Sequence, residues 1–132
     1  MVITDGVADM ITRIKNAAAV KKETVVIPYS RLKMAVAMLL EKEGYLLKTE
    51  HRGKKSKKII EAVLSYDENK NSKITNVRRI SKLSARVYVP AKDLFKLSRQ
   101  KGVFVVSTPK GLLTAKEAKK ENVGGEILCH IW

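Results

Sequence analysis

Ser107 and Lys110 stand at S-x-x-K spacing, the arrangement in which penicillin-recognising serine enzymes set a nucleophile beside a lysine. That chemistry needs S-D-N and K-T-G companions and a scaffold far larger than 132 residues, and neither motif occurs. Cys129 and His130 form the other tempting pair, but neighbours on a strand point to opposite faces, so the imidazole does not activate the thiol. His51 is the only other histidine, which leaves no metal-ligand spacing, and neither a G-x-x-x-x-G-K-[ST] nor a G-x-G-x-x-G phosphate loop is present. The expectation is a protein without catalytic site, metal or cofactor.

The same C-terminal stretch offers a different chemistry. Its loops carry Ser107, Thr108, Lys110 and Gly111, then Gly124, Gly125 and Glu126. Hydroxyls donate and accept hydrogen bonds, a lysine meets a phosphate, and glycines let backbone approach a ligand without an intervening side chain. Glu126 fits less easily, because a carboxylate beside a polyanion must accept a specific hydrogen bond from a base amino group, a ribose hydroxyl or a neighbouring loop. Charge names the partner class. The chain has 27 Lys+Arg against 13 Asp+Glu, a net charge of +14. The excess is spread over both halves, +6 in residues 1–66 and +8 in 67–132. A basic folded body, not a basic tail, points to nucleic acid.

Several modes of recognition are excluded. Zinc fingers lack ligands, basic zippers lack heptads, and the absence of G-x-x-G removes the KH loop. "KGVFVVST" at 101–108 puts Val103 where an RNA-recognition sheet needs a stacking ring, and an aromatic content of 5% disfavours serial stacking on single strands. An irregular A-form duplex fits better, since its wide, shallow minor groove admits a rim of small hydroxyl side chains and backbone amides. No membrane partner is expected: no apolar run approaches the ~18 residues of a spanning helix, and Asp5 and Asp9 argue against a secretory leader. The lone Cys129 fits a reducing compartment, and a cytoplasmic location is expected.

The scaffold that must hold these loops reads as α+β, two small mixed α/β subdomains packed together. The expected boundary is the polar "DENKNS" at 67–72, giving 1–66 and 67–132, with the main RNA-binding loops on the second. Val7, Met10, Ile11, Ile14 and Ala18 recur at helical spacing behind Thr4 and Asp5, predicting a helix over 5–19. "ETVVIP" is a strand, and Ser30 caps a helix with Leu32, Ala35, Val36, Leu39 and Leu40 on one face and Met34 and Met38 turned to a second buried contact. Residues 45–66 read as two strands around a turn bearing Lys54, Lys55, Lys57 and Lys58, either solvated or set against phosphate. Strands follow in 73–81, 85–89 and 103–107, with a helix over 91–101. Thr114 and Glu117 form a capping box before a short helix, and "EILCHIW" is the last strand. Antiparallel pairing of 103–108 with 126–132 puts the two loops on one rim, whereas parallel pairing separates them.

"STPKGLLTAKEAKKENVGGEILCHIW", with "TDGVADMITRIKNA" and "RRISKLSARVYV", closely resembles the bacterial ribosomal protein S-eight family over nearly the whole chain. The resemblance implies two small α/β subdomains and a primary rRNA-binding protein that supports assembly of the small subunit. It would bind an irregular helix of the central domain of small-subunit rRNA, mainly at its minor groove. Neighbouring small-subunit proteins are implied partners, as is the messenger of its own operon, which some members repress; outside the ribosome a monomer is expected. The implied RNA-contacting set is Ser107, Thr108, Lys110, Gly111, Gly124, Gly125 and Glu126 with Tyr88 and Arg86, and more weakly Thr4, Asp5, Arg13, Asn16 and Lys33. The chain departs from the family pattern at Gly6, where proline is usual, at Pro109, usually serine or asparagine, and at Ala115, usually acidic. Thr108→Ala and Gly124→Glu are expected to weaken RNA binding with the fold intact. The alternative is a free-standing translational regulator or RNA chaperone.

Overall fold

One face of α1 (Gly6–Ala19) is buried because Val7, Met10, Ile11, Ile14 and Ala18 recur on it, none more than 5% exposed. A computed structural model describes residues 6–54, 57–82 and 84–132, so Thr4, Asp5 and Lys55 lie outside the described residues. After β1 (Thr24–Pro28), Ser30 caps α2 (Arg31–Lys42), its hydroxyl accepting the Lys33 amide at 3.1 Å. β2 (Leu46–Arg52) and β3 (Ile59–Leu64) complete an antiparallel sheet of order β1-β3-β2. α1 rests on β1 and α2, and α2 on β2, over a core that includes Ile27, Leu46, Ile60, Ala62 and Leu64. Val36, Ala37, Leu39 and Leu40 are the buried residues of α2, and Leu32, expected among them, is 44% exposed. Of the two methionines expected at a second buried contact, Met34 is partly buried, whereas Met38 is 58% exposed and makes none.

The chain divides into compact units Gly6–Thr75 and Asn76–Trp132, the break falling after Thr75 where the sequence placed it after Tyr66. "DENKNS" is a closed turn. Asp67 Oδ1 accepts the Asn69 and Asn71 amides at 2.9 Å each, Tyr66 bridges Ser72, and Ile74 beyond them is buried.

The second unit contains β4 (Val77–Arg79), β5 (Tyr88–Val89), a 3-10 turn (Ala91–Asp93) running into α3 (Leu94–Ser98), β6 (Val103–Thr108), β7 (Gly111–Thr114), α4 (Ala115–Glu121) and β8 (Gly125–Ile131). The sheet order is β4-β8-β6-β7, all antiparallel, with β5 also on β8. Leu94, Phe104, Val106, Ala115, Ala118 and Ile127 are its core, so α3 and α4 cover one sheet face. The fold is α+β, as the sequence predicts. The strands expected over 73–81 and 85–89 are shorter because the chain leaves β8 after Ser81, whose amide donates to Ile127 O at 3.1 Å, and returns at Val87, whose carbonyl accepts from Ile127 N at 2.9 Å. β7 carries no strand signal in the sequence: four residues opened by a glycine are too few for strand periodicity to register.

Thr114 and Glu117 form the capping box, each side chain accepting the other's amide at 3.1 Å, and Asn122 ends α4 in the left-handed conformation (φ 55). Thr114→Ala is expected to cost about 1 kcal/mol of unfolding free energy, read from the urea midpoint.

Candidate nucleic-acid interface

The β6/β8 register answers the question that the sequence left open. Ser107 pairs with Glu126, β5 sets Tyr88 on the other flank of Glu126, and β7 sets Leu112 beyond Ser107. Directly paired residues share a sheet face, so Tyr88, Glu126, Ser107 and Leu112 run in a row across four strands. Val106 and Ile127, the next residues along, face the helices, which puts this row on the opposite face. The Pro109-Lys110 turn and the Gly124-Gly125 pair lie at the same end of the sheet. Both loops therefore share one rim.

Within that rim the fold itself uses several of the residues singled out from the sequence. The Glu126 side chain is only 18% exposed; its Oε2 accepts from the Ser81 hydroxyl and, at 3.1 Å, from Arg86 Nη1. Ser81 is fully buried, and its oxygen also accepts the Val87 amide at 3.1 Å. The carboxylate that fitted poorly beside a polyanion is thus satisfied by Ser81 and Arg86, which it ties to β8. Sequence reasoning missed Ser81: nothing in "RRIS" marks it, and its role arises only because the loop returns to the same strand. Thr108 Oγ1 donates to Gly111 O at 2.7 Å and accepts the Lys110 amide at 3.1 Å, closing the turn, while Gly111 takes φ +103.

Gly124 and Gly125 answer to packing. A Cβ at Gly124 would stand 2.4 Å from Val89 O, and one at Gly125 2.1 Å from Ser107 O. Both obstacles are backbone. The expectation that Gly124→Glu leaves the fold intact is corrected on this ground, and Thr108→Ala likewise removes a turn bond.

What the fold leaves unspent is narrower. Ser107 is partly exposed and its hydroxyl makes no hydrogen bond among the described residues, and Tyr88 is 69% exposed. Lys110 Nζ meets Glu121 at 3.1 Å in an ion pair more than half exposed on each side, which contributes little and is easily exchanged for a phosphate. Arg86, its side chain 44% exposed, keeps guanidinium donors beyond the one given to Glu126.

In the first unit, Arg13 and Asn16 line an open groove of about 610 Å³ with Val20, Lys22, Thr24 and Val26. Arg13 Nε is paired with Asp9 at 3.0 Å, and Lys33 lies along Gly6, its Cδ 3.7 Å from where a Cβ would be. No cluster of three His, Cys, Asp or Glu side chains able to hold a metal occurs among the described residues, and none of their helices is long and apolar enough to cross a membrane.

The model of the family described as "Ribosomal protein S8" matches residues 5–132. Similar proteins are the small ribosomal subunit protein uS8 of a Thermoanaerobacter species, 43% identical over 132 residues, and those of Streptococcus agalactiae (43%) and Enterococcus faecalis (39%). In each case the match covers 100% of both chains. With full-length identity near 40% and a family match that takes in both units and the whole C-terminal rim, the chain belongs to the ribosomal protein S8 family.

Proposed function

We propose that this protein is a primary rRNA-binding component of the small ribosomal subunit in the bacterial cytoplasm. It seats an irregular helix of the central domain, minor groove inward, on the rim of its second unit and so supports subunit assembly. The observation that carries this reading is the division of labour in the row. Glu126 is neutralised from within, which removes the one repulsive group, and the Ser107 hydroxyl and the Tyr88 ring are left facing outward beside Lys110. A hydroxyl and a flat ring flanked by lysine suit 2′-hydroxyls, base edges and phosphate in a shallow groove. Arg13, Asn16 and Lys33 supply a weaker contact from the first unit. Binding to the protein's own messenger is the same chemistry on a similar helix.

Footprinting on total small-subunit rRNA tests the proposal, and protection is expected within a helical segment of the central domain. The association constant should fall linearly with salt on logarithmic axes, by about 0.9 per phosphate neutralised for duplex and less for single strands. Protein that gives no footprint and does not cosediment with small subunits through a salt wash would instead be the free-standing regulator.

A further inference from the structure

Outside the rim, the second unit carries a basic groove that the reading above does not use. Arg99 and Ser98 at the end of α3, with Lys116, Lys119 and Lys120 of α4, line an opening of about 500 Å³. Ala115 and Ala118 face the core from the same helix, so the lysines project from the outside of the helical layer, away from the sheet face that holds Tyr88 and Ser107. Lys116, Lys119 and Lys120 stand at i, i+3 and i+4, where like charges repel. Of the carboxylates of α4, Glu117 accepts the Thr114 amide in the capping box, and Glu121 pairs with Lys110. Among the described residues, none of the four cations is in an ion pair with a carboxylate. Arg99 also lies 5.5 Å from the centre of the half-exposed Phe95 ring, which extends the basic surface along α3.

We propose that this groove takes the phosphate backbone of a second rRNA segment, distinct from the helix on the rim. The inference rests on the rRNA-binding reading above. A tetrad of cations shared by two helices, open to solvent and in no ion pair among the described residues, is stabilised by a run of phosphates more than by any single anion. Its position behind the sheet lets one small unit hold two RNA segments together, a direct physical route to organising rRNA.

The test is the full chain carrying Arg99→Gln, Lys116→Gln, Lys119→Gln and Lys120→Gln, footprinted on full-length small-subunit rRNA beside the unsubstituted protein. All four side chains are exposed, so the thermal midpoint should hold. The unsubstituted protein should protect two separate segments and the variant only the one that Tyr88→Ala removes. Affinity should drop roughly tenfold, with a salt slope shallower by about two or more. Two retained segments with an unchanged slope overturn the proposal. An unchanged footprint with poorer incorporation into reconstituted subunits also overturns it and assigns the groove to an acidic protein neighbour. No footprint from the unsubstituted protein sinks this proposal together with the rRNA reading, whereas loss of the second segment alone leaves that reading standing.

Discussion

Replacing Tyr88 and Ser107 together by alanine is expected to lower affinity for small-subunit rRNA about a hundredfold while leaving the urea midpoint unchanged. An aromatic ring against a base contributes on the order of 1–3 kcal/mol, and a hydroxyl bond about 1 kcal/mol. With 1.4 kcal/mol per factor of ten, the pair together reaches roughly that figure. The fold does not depend on either group. Tyr88 is 69% exposed, and the Ser107 hydroxyl makes no hydrogen bond among the described residues. Their contributions should be close to additive, because Glu126 stands between them in the row. Filter binding at fixed salt, with single and double variants, measures this. If both singles bind normally while any surface Lys→Ala weakens binding equally, charge alone drives recognition and the row has no special part.

Two kinds of residue that look alike in the sequence part company in the structure. Ser107, Thr108, Gly124, Gly125 and Glu126 all read as surplus turn chemistry suited to RNA. Only Ser107 of these is left free by the fold. Thr108 is consumed by a two-residue turn whose strand β7 was too short to register. Glu126 is consumed by Ser81, a partner 45 positions away in sequence, and no local pattern reveals such a contact. The long amphipathic helices and the capping box were legible because their signals lie within a few residues of one another. Register across β8 was not, since it joins residues from four separated strands. The lysine spacing on α4 was visible in "AKEAKKEN", but its meaning needed the knowledge that Glu117 and Glu121 are engaged elsewhere.

Gly125→Ala should cost about 3 kcal/mol or more of unfolding free energy, a far larger effect than alanine usually has at an exposed loop glycine. The added Cβ would stand 2.1 Å from Ser107 O, 2.9 Å from Ser107 C and 3.2 Å from Thr108 Cα. All three are main-chain atoms that no rotamer change can clear. Relief comes only by drawing β8 away from β6, which opens the Ser107–Glu126 pairing and pulls the carboxylate from Ser81 and Arg86. The glycine is thus a stability residue whose loss would mimic a binding defect. Urea unfolding followed beside rRNA binding tells the two apart. A lowered midpoint, with affinity restored at temperatures where the variant is folded, is the expected result. Lost affinity with the midpoint unchanged would show that Gly125 makes room for RNA, and the packing account of "GGE" would be wrong.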